Sequence, residues 1–114
     1  KKPLVDPFCG SGTILIEAAM RARRIAPGRH RSFQCMQWPS FDAGAWDRLV
    51  KGADSDVIDR CPVIVGSDRD EGAVAAALAN AATAGVAENI AVERRSASDL
   101  VLPATAGWIV SNPP

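Results

Sequence analysis

The two ends of the chain carry the residues most able to do chemistry. Near the start, a strand-like Leu4-Val5 runs into a segment with the sequence DPFCGSGT, residues 6–13. Near the end, an apolar WIV run continues into SNPP, residues 111–114. A glycine turn between a strand and a helix lets the backbone approach a nucleotide-like ligand, because glycine has no Cβ. An asparagine at a strand end can accept a hydrogen bond from a planar amino group.

The second segment suits an aromatic amine, which is a weak nucleophile because its lone pair is delocalised into the ring. If the side-chain oxygen of Asn112 and the carbonyl of Pro113 each accept one N–H, the nitrogen becomes more tetrahedral and its lone pair can attack a sulfonium methyl group in line. Positioning and preorganised electrostatics would then carry the rate. Together the two segments predict methyl transfer from S-adenosylmethionine to a nucleobase amine. Alone, the glycine segment is equally well explained as a tight strand-to-helix turn, and for the SNPP segment a proline-terminated strand is favoured.

Composition limits the classes of protein to which the chain can belong. The 114 residues include 13 Lys and Arg against 13 Asp and Glu, and 47% are hydrophobic. These values predict one globular domain and exclude disordered or collagen-like proteins. The sequence has no apolar run of membrane-spanning length and no leader, so a cytoplasmic protein is expected. Three spaced cysteines and a single histidine argue against a zinc site, and no metal is expected. The neutral charge provides no general attraction to nucleic acid.

Hydrophobic patterning predicts alternating strands and helices. A helix over residues 13–24 is capped by Thr13 and ended by Pro27-Gly28, and a buried strand covers residues 61–67. Asp70 caps a helix over residues 71–84, which ends at a glycine. One side of that helix carries Val74, Leu78 and Ala82. A third strand ends near Ser96, and a fourth covers residues 108–110.

Residues 27–60 are predicted to form a partly helical insertion. Asp42 caps its helix, and we expect the rings of Trp38, Phe41 and Trp46 to staple it to the core. The basic run over residues 21–31 could contact RNA phosphates, but complementing a helix C-terminus is favoured. Within the first turn, Cys9 is interpreted as a small packing residue.

The predicted order implies an α/β fold with a mostly parallel sheet and right-handed crossovers. Ligands in such sheets bind beyond the carboxyl ends of the strands, where Asp6, Asp68, Ser96 and Asn112 fall. Asp68 could accept hydrogen bonds from ribose hydroxyls, and Asp6 could face the cofactor or brace the turn. A P-loop is excluded because no lysine follows the glycines, and a dinucleotide fingerprint lacks its third glycine.

At these residues the chain resembles the THUMP-associated RNA methylase family, in the branch that methylates guanine N2 in bacterial large-subunit rRNA. The resemblance covers the cofactor loop at residues 6–13, the IAPG and WPSFD segments of the insertion, GSDRD at the ribose strand and SNPP at the amine site. It implies a Rossmann-like class I methyltransferase fold, S-adenosylmethionine as cofactor and an RNA substrate, rRNA before tRNA. The implied cofactor contacts are Asp6, Phe8, Gly10, Ser11, Gly12, Thr13, Asp68 and Ser96, and the implied catalytic residues are Asn112, Pro113 and Pro114.

The chain departs from the family at one contact and in extent. Ser96 stands where the family has an aspartate for the adenine amino group, so either Ser96 or Asp99 is expected to serve. The 114 residues are expected to be the N-terminal, cofactor-binding half of a methyltransferase domain and to be inactive in isolation. A DNA adenine-N6 methyltransferase and a non-catalytic module that keeps the fold are the alternatives. The oligomeric state is left open.

Overall fold

A four-stranded parallel sheet organises the chain, and the computed structural model describes residues 2–114. Its spatial order is β3-β2-β1-β4. The strands are β1 (Leu4–Asp6), β2 (Ile64–Asp68), β3 (Ala91–Arg94) and β4 (Trp108–Ile109). The helices are α1 (Thr13–Arg23), α2 (Ala43–Ser55) and α3 (Glu71–Thr83), with 3-10 turns at Gln34–Gln37, Ala87–Asn89 and Ala97–Asp99. The predicted α/β class and parallel sheet are confirmed.

Helices α1 and α3 pack side by side on the sheet, and small residues set their spacing. Leu15 and Ala19 of α1 and Ala77 and Ala81 of α3 are fully buried. Ile64 of β2 joins Leu15, Ala19 and Ala81 in the core cluster. Helix α1 follows the carboxyl end of β1, and α3 follows that of β2. The close approach of the two helices therefore fixes the positions of these two strand ends relative to each other.

The N-terminal cap of α1 differs from the prediction, whereas its extent agrees closely. Gly12, in the left-handed conformation with φ of 85°, occupies the N-cap position, and no side chain caps the helix, so the assignment of Thr13 as the cap is wrong. The helix ends at Arg23, one residue before the predicted end. Arg24 is left-handed with φ of 60°, and the N–H of Ile25 bonds back to the carbonyl of Met20 at 2.9 Å. The chain reverses there because these bonds satisfy the last carbonyls of the helix.

Strand β2 begins later than the sequence indicates, because Pro62 has no N–H for the ladder. In α3 the side that carries Leu78 is not the side that faces the core. Leu78 is 44% exposed, whereas Ala77 and Ala81 face the core. Only a methyl group fits where α3 meets Gly12, so the smallest side chains are the buried ones. The cap at Asp70 is confirmed, since its carboxylate accepts the N–H of Ala73 at 3.0 Å.

The insertion is partly helical, as predicted, and Asp42 caps α2 by accepting the N–H of Ala45 at 2.8 Å. The aromatic cluster of the insertion differs from the prediction. Trp46 contacts Phe33 and Phe41, with ring centroids 5.6 and 6.3 Å away, while Trp38 is 61% exposed. The rings pack on one another within the insertion, and an arginine links the insertion to the domain.

That link is Arg23, at the end of α1. Its guanidinium bonds to the carbonyl of Ile58 and to side chains of Asp59 and Asn89 at 3.1–3.2 Å. Arg29 also pairs with Asp54 of α2 at 3.2 Å. Two arginines of the basic run therefore have structural partners.

None of the helices in residues 2–114 has the length and hydrophobicity that a membrane-spanning segment needs.

Replacing Gly66 by alanine should destabilise the protein. A Cβ there would overlap Leu15 Cδ1 and approach Cys9 Cβ to 3.1 Å, at the centre of the sheet. We expect overpacking to cost about 1–3 kcal/mol in the free energy of unfolding, measured by urea denaturation. Gly52→Ala is the matched control, because a Cβ at that helical position meets nothing within 4 Å. It should stabilise the protein by up to about 1 kcal/mol. Equal effects at both glycines would contradict this packing.

Candidate active site

A cleft of about 450 Å³ opens at the carboxyl edge of the sheet, and the ends of all four strands reach it. It falls within the range of about 300–1,000 Å³ that small-molecule sites occupy. Residues from both chain ends share its walls. The lining residues are Pro7, Phe8, Gly10, Asp68, Arg69, Ser96, Ala97, Asn112, Pro113 and Pro114.

The two glycines of the turn after β1 have different structural roles. Gly10 has φ of +51°, and a Cβ built on it meets nothing within 4 Å, so this backbone faces the open cleft. Gly12 is buried, and a Cβ there would lie 3.0 Å from that of Ala77. Gly10 therefore exposes backbone to a ligand, whereas Gly12 allows α1 and α3 to approach.

Asp68 ends β2 and holds the turn open. One carboxylate oxygen accepts the N–H of Gly10 at 3.0 Å, and the other accepts the N–H of Asp70 at 3.0 Å. A carboxylate can accept about four hydrogen bonds, so the side chain retains acceptor capacity toward the cleft that it lines.

Asp6 joins the two ends of the chain. Its side chain is 1% exposed, and Oδ1 accepts hydrogen bonds from the Phe8 N–H at 3.1 Å and the Ser111 hydroxyl at 2.6 Å. The Val110 N–H bonds to the Val5 carbonyl at 3.0 Å beside it. Of the two roles left open for Asp6, bracing the turn is the one that the structure shows. Sequence analysis missed Ser111, whose only signal was its position beside Asn112.

At the end of β3, the two residues considered for adenine recognition lie in different places. Ser96 lines the cleft, and its hydroxyl lies 2.9 Å from that of Ser98. Asp99 is not among the lining residues; it closes a 3-10 turn by donating its N–H to the Ser96 carbonyl at 2.9 Å. Ser96 and the neighbouring Ala97 therefore reach the cleft, and adenine recognition by Ser96 stays a prediction.

The cleft brings together seven of the predicted site residues and leaves four outside its lining. Those inside are Phe8, Gly10, Asp68, Ser96, Asn112, Pro113 and Pro114. Ser11 and Thr13 are exposed, and Asp6 and Gly12 are buried behind the turn. The cofactor and substrate contacts of all eleven residues stay predictions.

Cys9 is a packing residue, as expected from the sequence. Burial, assisted by the nearby charges of Asp6 and Asp68, raises the pKa of its thiol to about 11. The thiol is therefore protonated at neutral pH and is a poor nucleophile.

Within residues 2–114, no three His, Cys, Asp or Glu side chains cluster in a way that could hold a metal ion.

The family comparison agrees with this geometry. Residues 1–114 match the UPF0020 model, described as the RMKL-like methyltransferase domain. The chain belongs to this family. It is 43% identical, over 97% of its length, to the ribosomal RNA large subunit methyltransferase K/L of Shewanella baltica, and the same protein of Shewanella oneidensis is equally similar. The chain spans only 16% of the length of these relatives.

Solved structures show the same fold. SMU.472, described as a methyltransferase and solved in complex with SAH, superposes with a TM-score of 0.94 at 37% identity. The match covers all of this chain and 30% of that one. A Listeria monocytogenes protein described as an N6-adenine-specific DNA methylase superposes with a TM-score of 0.93 at 34% identity, over 99% of this chain and 30% of that one. The Rossmann-like methyltransferase fold expected from the sequence is confirmed.

Cys9 should resist alkylation in the folded protein. A thiol pKa raised from 9.0 to about 11 lowers the thiolate fraction at pH 8 by about 100-fold, and burial slows access further. We expect iodoacetamide to modify Cys9 at least about 100 times more slowly than the half-buried Cys35, followed by peptide mass spectrometry. Equal labelling rates before unfolding would contradict the assignment.

Proposed function

We propose that this chain is the cofactor-binding part of an S-adenosylmethionine-dependent methyltransferase that modifies the N2 amine of a guanine in structured RNA, with rRNA as the first candidate. The observation that carries the proposal is the single cleft shared by Gly10, Asp68 and Asn112. The chain spans 16% of its rRNA methyltransferase relatives, so the activity is proposed for the full-length protein. An rRNA substrate would place that protein in the cytoplasm.

The cleft residues suit this cofactor. S-adenosylmethionine supplies an electrophilic methyl group on a sulfonium when bound. Gly10 leaves space that a Cβ would otherwise occupy, and Asp68 has acceptor capacity for ribose hydroxyls. Ser96 and Ala97 supply a hydroxyl and a backbone amide at the next strand end, suitable for an adenine edge. A neighbouring structure of the same fold holds SAH, which supports this cofactor here.

The acceptor side consists of Asn112 and Pro113. Both are exposed and line the cleft, so their oxygens are available to a base that enters from solvent. In the proposed mechanism, the Asn112 side-chain oxygen and the Pro113 carbonyl each accept an N–H of the guanine amine. The lone pair of that nitrogen then faces the methyl group. As the new N–C bond forms, the sulfur–methyl bond would break and leave S-adenosylhomocysteine, and the nitrogen would lose a proton to solvent. Positioning of the amine against the methyl group accounts for the rate enhancement.

A DNA adenine-N6 methyltransferase is the second candidate. The Asn112-Pro113 pair fits any aromatic exocyclic amine, and one structural neighbour is described as a DNA methylase. Assaying the full-length protein with labelled cofactor on unmodified rRNA, tRNA and duplex DNA separates the two. We expect label in rRNA guanine N2. Label confined to DNA adenine would overturn the proposal in favour of the alternative.

A non-catalytic module is a third candidate, because Ser96 replaces the aspartate that the family resemblance leads us to expect. Calorimetric titration of the full-length protein with S-adenosylmethionine decides this point. We expect saturable binding. If the folded protein shows neither heat nor thermal stabilisation with the cofactor, the module becomes the better description.

Asn112→Ala should separate cofactor binding from methyl transfer. The side chain is exposed and makes no hydrogen bond within residues 2–114, so its loss should leave folding and the cofactor Kd nearly unchanged. Removing an acceptor that orients the amine should lower kcat by roughly 100-fold or more. Asn89→Ala is the control, because that side chain bonds to Arg23 away from the cleft. Unchanged turnover in Asn112→Ala would refute the role assigned to Asn112.

A further inference from the structure

One side-chain hydrogen bond within residues 2–114 connects the loop that carries Asn112 to the rest of the domain. Just before the loop, the Val110 N–H bonds to the Val5 carbonyl. Within residues 111–114, the hydrogen bond to the rest of the described chain is the one from the Ser111 hydroxyl to Asp6. Pro113 and Pro114 have no N–H to add another. The orientation of the Asn112 loop therefore depends on whether the Ser111 hydroxyl stays on its acceptor.

The acceptor is well suited to hold it. Asp6 is buried, so its carboxylate gains more from a hydrogen bond than an exposed one would. The 2.6 Å separation lies in the short range of about 2.5–2.7 Å that is typical of a hydroxyl bonded to a carboxylate. The same Oδ1 accepts the N–H of Phe8, which lines the cleft from the opposite chain end.

One carboxylate oxygen thus connects a wall of the proposed cofactor site with the loop that would hold the acceptor base. A shift of the glycine turn that moved the Phe8 N–H would also move Asp6, and with it Ser111. The two loops are 105 residues apart in sequence, and only the parallel pairing of β1 with β4 brings them together.

We propose that Ser111 and Asp6 are positioning residues that set Asn112 against the cofactor turn and couple cofactor binding to order in the acceptor loop. The inference rests on the proposed function for its catalytic consequence. Neither residue needs to touch the reacting atoms. The Ser111 hydroxyl acts as a hydrogen-bond donor, and the Asp6 carboxylate acts as the acceptor for both loops.

Kinetics of Ser111→Ala, Ser111→Thr and Ser55→Ala in the full-length protein test the catalytic part. Ser111→Ala should lower kcat for methyl transfer by about 10–100-fold through misplacement of Asn112, with the cofactor Kd changed less than about threefold. Ser111→Thr keeps the hydroxyl and should recover most of the rate. Ser55→Ala removes a hydroxyl on α2 that bonds to Gly52, and should behave like the wild type. Wild-type kcat in Ser111→Ala would overturn the proposal, as would equal losses in the alanine and threonine variants.

Hydrogen–deuterium exchange gives a readout that does not require activity. Peptides that cover residues 108–114 should exchange faster in Ser111→Ala than in wild type, and S-adenosylhomocysteine should protect them in wild type only. Protection that is identical in both proteins would overturn the coupling. If wild type methylates neither RNA nor DNA, the proposed function fails while this exchange comparison still decides the link between the loops.

Discussion

The site depends on a buried carboxylate with two donors from opposite ends of the chain. Asp6 ends β1 at the centre of the sheet, and its Oδ1 receives the Phe8 amide and the Ser111 hydroxyl. A buried charge is costly unless hydrogen bonds compensate it, so the folded state favours the arrangement in which both loops supply a donor. The carboxylate that stabilises the turn therefore also aligns the two walls of the cleft.

Close packing behind the cleft makes that alignment possible. Gly66 lets Leu15 pack against β2, and Gly12 lets α1 approach Ala77 of α3. The two helices start directly beneath the cleft, so their spacing sets the distance between the glycine turn and Asp68. The Asp68 carboxylate then bonds to the Gly10 amide and keeps that turn facing outward. Residues that never reach a ligand thus determine where the cofactor-facing backbone lies.

The sequence predicts the order of the elements and the convergence of strand ends, because periodicity and chain connectivity are local properties. It also predicts the caps at Asp42 and Asp70, which depend on neighbours three residues away. It does not predict which face of α3 is buried, because Leu78 outweighs Ala77 in hydrophobicity while only alanine fits against Gly12. The partners of Asp6 and Arg23 depend on strand register and on the path of the insertion, which no local pattern encodes.

A crystal structure of the full-length protein with S-adenosylhomocysteine tests the central claim most directly, since that claim is the meeting of both chain ends at one cleft. The account predicts ligand density between the Gly10 turn and Asp68, with Asn112 facing its sulfur side and the Ser111 hydroxyl on Asp6. Ligand bound away from this edge of the sheet, or an Asn112 loop separated from Asp6, would contradict it.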